Sequence, residues 1–258
     1  MRFFFQGQAH DEALSRLGFV VSEQTMLLGM LTGDIGCGKT LTRAVFADRL
    51  DRRQFCVVTH ENSSFGFNDL LGMTLQKLRY GSEKIERSKA ARWCQFERSV
   101  EDLLATNRHL VLIFDEAQEM SSATLNELKQ LTNLNGNGRS ALTVVLVGQP
   151  ELREQVARLP AINQRISLRF HLNPLSLEDA GQYLGHRLLA AGHDRGDLFA
   201  PDAVEFAYEA TGGIPRELNR VAKLALEFAW VQEYSEVTLA AVDAVVRDMN
   251  HHQTLAIA

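Results

Sequence analysis

Gly33-Asp34-Ile35-Gly36-Cys37-Gly38-Lys39-Thr40 places three glycines, a lysine and a hydroxyl at the spacing GxxxxGK[ST]. The chemistry open to such a stretch is the capture of a phosphate chain. Gly33, Gly36 and Gly38 accept positive φ, so the backbone can wrap an anion with its N–H groups turned inward. Those groups lie where a helix begins, and a helix N-terminus favours negative charge. Lys39 adds a mobile full charge for the β- and γ-phosphates, and the Thr40 hydroxyl is placed to ligate Mg²⁺. The expected nucleotide contacts are Gly33, Asp34, Ile35, Gly36, Cys37, Gly38, Lys39, Thr40 and Leu41.

A second set of polar residues sits where apolar runs stop. Leu110-Val111-Leu112-Ile113-Phe114 ends in Asp115-Glu116. A buried strand that delivers Asp115 to the C-terminal edge of an open α/β sheet puts it where ligands bind in such sheets. There Asp115 can hold the Mg²⁺ water shell, and Glu116 can polarise an attacking water as general base. Leu142–Val147 ends at Gly148-Gln149-Pro150. The neutral Gln149 suits hydrogen bonds to both the water and the terminal phosphate; alternatively it is a turn residue before proline.

These positions need a scaffold, and the chain supplies one. Strands are expected at Met26–Thr32, Phe55–Thr59, Leu110–Phe114, Leu142–Val147 and Ser167–Leu172. Their nearly continuous apolar content is that of parallel strands covered on both faces. After the glycine loop, Leu41, Ala44, Val45, Ala47 and Leu50 mark an amphipathic stretch. Beyond Asn173-Pro174 the pattern becomes helical: Leu177, Ala180, Tyr183, Leu184, Arg187, Leu188 and Ala191, then Leu218, Val221, Ala222, Ala225, Phe228 and Ala229. A last helix starts at Thr238, with Leu239, Val242, Val245, Val246 and Met249 inward. Pro174 disfavours helix at Asn173 and marks a boundary. Residues 1–173 therefore read as an α/β nucleotide-binding domain and 174–258 as a small all-helical domain.

Composition narrows the class further. Of 258 residues 45% are hydrophobic, enough for a substantial core, and 27 basic against 32 acidic residues give a net charge of -5. Wholesale coating of nucleic acid is thus unfavourable, although a local basic surface is compatible with that balance. Cys37, Cys56 and Cys94 form no CxxC pair, which argues against a zinc site or a disulfide framework and for a reducing cytoplasm. No apolar run reaches the ~18 residues of a membrane helix, and the opening Met1-Arg2-Phe3-Phe4-Phe5 is too short for a signal peptide.

Taken with the loop, the blocks Asp115-Glu116-Ala117-Gln118, Val147-Gly148-Gln149-Pro150-Glu151-Leu152, Gln164-Arg165-Ile166 and Gly213-Ile214-Pro215-Arg216-Glu217-Leu218-Asn219 resemble an AAA+ ATPase. Within that class the chain is most similar to the ATPase domains of general secretion pathway A proteins (the ExeA type), with transposition ATPases of the MuB and TniB kind related. The resemblance implies an α/β P-loop NTPase fold, a parallel five-stranded sheet flanked by helices and followed by a helical lid. It also implies ATP and Mg²⁺ as ligands and hydrolysis to ADP in a homo-oligomer, either ring or filament. The partner would be a secretion-system or transposase protein, and duplex DNA in the latter case. Gln149 falls at the sensor-1 position. Arg165 resembles the arginine finger, with Arg169 competing, and Arg216 resembles the sensor-2 arginine. Arginine offers a planar fork of donors that keeps its charge near neutrality, which suits a developing phosphate charge. Cys37 stands where the family more often has Thr, either as a simple small residue or as an oxidisable group. Secretion members continue into a membrane span and an envelope domain, which these 258 residues do not contain; the expectation is an ATPase module whose client stays open.

Three segments speak less clearly. Lys77, Arg79, Lys84, Arg87, Lys89, Arg92 and Arg98 outnumber Glu83, Glu86 and Glu97 over one stretch, with Tyr80 and Trp93 interleaved. This is either a solvated face with local ion pairs or a track for a DNA backbone. Phe65 and Phe67 lie in a Ser63–Asn68 stretch that is either a contact loop or packed inside. His251 and His252 lack ligand partners at metal spacing and read as a tail.

Overall fold

The computed structural model describes residues 2–25, 28–79, 84–136 and 139–255. The chain divides into two compact units. One consists of Glu12–Asp34 and Lys39–Leu172; the other of Met1–Asp11, Ile35–Gly38 and Asn173–Ala258.

The first unit is built on a five-stranded parallel sheet: β1 (Leu28–Gly33), β2 (Phe55–His60), β3 (His109–Phe114), β4 (Leu142–Gly148) and β5 (Ile166–Leu172), in the order β2-β3-β4-β1-β5. Every pairing is parallel. Each strand lies within two residues of its expected place. Met26 and Leu27, expected to open the first strand, lie outside the described residues. Strands β1, β3 and β4 are buried along their whole length, which is why their apolar runs are unbroken rather than alternating. The edge strand β5 exposes Ser167 and Arg169.

The helices of this part of the chain are α1 (Gln8–Glu23), α2 (Lys39–Arg49), α3 (Phe67–Arg79), α4 (Lys89–Ala105), α5 (Ser122–Glu127), α6 (Glu151–Ala157) and α7 (Pro160–Asn163). The core joins Leu70, Leu75 and Phe96 of the helices to Leu110, Leu112, Phe114, Val144 and Leu146 of the sheet. Full burial of each such Leu or Phe contributes roughly 1.5–3 kcal/mol relative to exposure. Ser88 caps α4 by accepting from the N–H of Ala91 at 3.2 Å. The paired phenylalanines part company: Phe67 is buried in the core and Phe65 is exposed.

The second unit packs α8 (Leu177–Ala191), α9 (Pro201–Thr211), α10 (Pro215–Val231) and α11 (Leu239–Leu255) around their own core. Ser176 caps α8, accepting from Asp179 N at 3.1 Å, and Gly192 ends it in the left-handed region at φ 99°. Pro201 and Pro215 open α9 and α10 at positions whose N–H would have no helical partner. Helix α10 buries Leu218, Val221, Ala222, Ala225 and Ala229 on one face.

Candidate functional site

The register of the sheet assembles the site. Thr32 of β1 is level with Gly148 of β4, and Phe114 of β3 is level with Leu146 of β4. The residues that follow these three adjacent strands therefore leave at one edge, the C-terminal one. That brings Gly33, Asp115 and Gln149 to the same end of the first unit.

Gly33 closes β1 against β5. A Cβ there would stand 2.6 Å from the carbonyl oxygen of Leu172, so only glycine fits. The Lys39 ammonium is buried and donates to the Gly33 and Asp34 carbonyls at 2.8 and 2.9 Å. Thr40 and Leu41 are exposed at the first turn of α2, as are Asp34 and Ile35 earlier in the loop.

Asp115 is 3% exposed. Burial pushes its carboxyl pKa up; the Arg43 guanidinium, the Glu116 N–H and the Thr40 hydroxyl each pull it back. Arg43 Nε lies 2.9 Å from Asp115 Oδ2 without the alignment of a hydrogen bond. Ser63 Oγ donates to the Asp115 carbonyl at 2.5 Å, and the Asp115 N–H donates to the His60 carbonyl at 2.8 Å. The Thr40 hydroxyl and the Asp115 carboxylate are hard oxygen donors of the kind Mg²⁺ selects, and they are the residues that would hold that ion. Among the described residues no cluster of three His, Cys, Asp or Glu forms a metal cage.

Glu116 is half-buried and holds a left-handed conformation, φ 51° and ψ 41°, rare for a residue with a side chain. Its carboxylate accepts from Gln118 Nε2 at 2.6 Å. Gln149, also half-buried, donates its backbone N–H to Gln118 Oε1 at 3.0 Å. Arg165 is half-buried and turned into its own unit, donating to Thr132 Oγ1 at 3.0 Å and to the Ala161 carbonyl at 2.6 Å. Arg169 is exposed and donates to the Asn163 side-chain oxygen at 2.6 Å.

The Ile35–Gly38 stretch groups with the helical unit. Gly36 takes φ 91° and Gly38 φ 95°. The Arg216 N–H donates to the Gly36 carbonyl at 3.3 Å, and the Arg216 side chain is exposed. Cys37 is fully buried, which fits a small packing residue and leaves its thiol no solvent access for oxidation.

Three residues escaped the sequence analysis as site components: Arg43, Gln118 and His10. Arg43 follows Lys39 by four residues on α2, a spacing that puts both on one helix face and is a readable signal. Gln118 stands within a quoted motif, but nothing local announces its two partners. His10 lies beside Gly38, where an added Cβ would come within 3.2 Å of its Nε2, and burial pushes its pKa down.

Three of the seven basic residues in the run make intrachain contacts. Lys77 bonds the Thr59 carbonyl, Lys89 pairs with Glu127, and Arg92 donates to the Asn68 carbonyl at 2.6 Å. Trp93 packs on the core of the first unit. Tyr80 and Glu83 lie outside the described residues, and so does the side chain of His252; His251 is exposed.

A family model described as an AAA domain matches residues 22–156. That is just over half of the chain, which belongs to this family. General secretion pathway protein A of Aeromonas hydrophila is 31% identical over 251 residues, covering 94% of this chain and 45% of that protein, so the chain spans about half of its relative's length. Among solved structures, the ORC2 protein of Aeropyrum pernix in its ADP form superposes with a TM-score of 0.65 at 18% identity, covering 93% of this chain and 67% of that one. RuvB of Thermotoga maritima, described as a Holliday junction branch migration motor, gives a TM-score of 0.56 at 16% identity over 95% and 70%. Such identities carry the fold alone: an AAA+ P-loop fold, with a five-stranded parallel sheet flanked by helices and a helical C-terminal region. Among the described residues no helix is long and apolar enough to cross a membrane.

Proposed function

We propose that this chain binds ATP with Mg²⁺ and hydrolyses it to ADP and phosphate. One observation carries the reading: the sheet register, which ends β1, β3 and β4 at one edge and so sets the start of the glycine loop at Gly33 beside Asp115 and Gln149. The loop from Gly33 to Leu41 cradles the triphosphate, and Lys39 turns from the Gly33 and Asp34 carbonyls to the β- and γ-phosphates. Bound Mg²⁺ supplies charge neutralisation at the β- and γ-oxygens. Glu116 takes a proton as a water oxygen bonds to the γ-phosphorus; the bond from that phosphorus to the bridging oxygen breaks, and ADP leaves with the electron pair. Gln149 orients the water, and Arg216 acts as the sensor-2 arginine.

Turnover drives or switches a macromolecular assembly, and an arginine at Arg165 or Arg169 completes the site of a neighbouring copy in a homo-oligomer. The Aeromonas relative's name gives the client class, a general secretion pathway. Phosphate release from ATP by the wild-type chain, lost in Lys39→Ala with its fold intact, tests the reading. Failure of folded wild-type protein to take up labelled ATP would overturn it.

A further inference from the structure

We infer that Gln118 is a positioning residue that ties the Glu116 carboxylate to the Gly148–Gln149 turn, so that base and water-orienting residue are held as one body; its role rests on the hydrolytic reading of Glu116. The chemistry of the amide fixes its orientation. A backbone N–H can only donate, so the Gln118 atom 3.0 Å from Gln149 N is the carbonyl oxygen. The other end is then the NH₂ group, and it meets a Glu116 carboxylate oxygen at 2.6 Å. Both ends of one side chain are used, one on each partner.

The backbone is shaped to permit this. The left-handed turn at Glu116 leads into the tight turn Ala117–Glu119, and Ala117 is fully buried. The Gln118 carbonyl accepts from Gln155 Nε2 of α6 at 2.9 Å, which anchors the main chain under the amide. Gly148 leaves the room: a Cβ there would stand 2.7 Å from Gln118 Oε1. No other side chain replaces the bridge. Asparagine is one methylene short, glutamate has no donor and would set a second carboxylate against Glu116, and methionine fills the volume with neither bond.

A left-handed non-glycine residue is retained when its surroundings over-determine it. Here Gln118 supplies the constraint on the Glu116 side chain and transmits to it any shift of the turn after β4. Misplacing a catalytic group by an ångström costs about 100-fold in rate.

Steady-state ATPase kinetics, labelled-ATP binding and thermal melting of wild type, Gln118→Met and Gly148→Ala test this. Gln118→Met should lower kcat by about 10- to 100-fold with KM and nucleotide affinity changed less than about twofold. Gly148→Ala, whose Cβ would press hardest on Gln118 Oε1 at 2.7 Å and less on Leu152 Cδ2 at 3.0 Å and the Gln118 backbone N at 3.3 Å, should reproduce that loss if Gln118→Met fails to fold. In a Glu116→Gln background, Gln118→Met should cause no further loss of residual turnover. An unchanged kcat in folded Gln118→Met or Gly148→Ala overturns the inference, as does a loss that tracks melting temperature and binding together, or one fully additive with Glu116→Gln. If Glu116→Gln itself turns over normally, the hydrolytic reading fails instead.

Discussion

Arg43 and Asp115 form an ion pair with side chains only 8% and 4% exposed, Nε to Oδ2 at 2.9 Å. Two charges taken out of water at the edge of the sheet are tolerable only together. The second guanidinium contact, to the exposed Glu61, is 3.8 Å and of little weight. Arg43 is thus the counter-charge that Asp115 has in its nearly dry position.

Removing the cation should be costly. Arg43→Met leaves Asp115 buried without its counter-charge, and the expected loss is about 3–5 kcal/mol. In an Asp115→Asn background the same substitution should cost far less. Urea unfolding read from Trp93, in a Trp230→Phe background so that the exposed helical-unit tryptophan is silent, measures both. A loss under about 1 kcal/mol for Arg43→Met would mean that the pair is not coupled.

Acid should weaken the first unit through two buried imidazoles. His60 stacks on Phe114 at 5.0 Å and meets Thr74 Oγ1 at 2.9 Å; His109 meets Thr143 Oγ1 at 2.8 Å. Burial pushes the pKa of each down to about 4, with Lys77 adding to the effect on His60. In the unfolded chain both titrate near 6.5. Between these values the unfolded chain binds protons that the folded chain refuses, so stability is full above about pH 6.5 and falls as pH drops toward 4. Each ring accounts for on the order of 2–3 kcal/mol over that window. Urea midpoints at pH 7 and pH 5 check it, and the fall should be shallower in His60→Gln with His109→Gln. An equally steep fall in that double variant would assign the acid sensitivity elsewhere.

The proposed sharing of a site between copies makes a mixing prediction. Arg169→Ala and Arg165→Ala should each be compared, alone and mixed with Lys39→Ala. The residue that acts in trans should lose about 10³-fold or more alone and recover part of it in the mixture. Arg165 and Arg169 each make two hydrogen bonds within their own unit, but Arg165 is half-buried and Arg169 exposed, so substitution of Arg165 should lower the melting temperature more. Absence of recovery for both, with assembly intact, would remove the shared site.

What was legible in the sequence follows the physics of each element. Strands β1, β3 and β4 are buried on both faces, so their apolar runs have sharp ends and were placed within two residues. The helices α8 and α10 announced themselves by apolar spacing, whereas α9 did not. Its inner face is largely Ala203, Ala207 and Thr211, too small to stand out, though Pro201 at its start and Gly212 after its end were signals. The loop glycines were readable because close approach and positive φ leave no other residue. The pairings of Arg43 with Asp115 and of Gln118 with Glu116 and Gln149 were not, because they depend on how adjacent strands end in space. The inward turn of Arg165 belongs to the same class, since Thr132 lies 33 positions away.

The central claim is most directly tested by measuring ATP binding and ATP turnover on the same preparation of Glu116→Gln. Binding should stay within about threefold of wild type while turnover falls by about 10²-fold or more. Turnover at the wild-type rate would contradict the assignment of the base, and with it the proposed route of hydrolysis at this sheet edge.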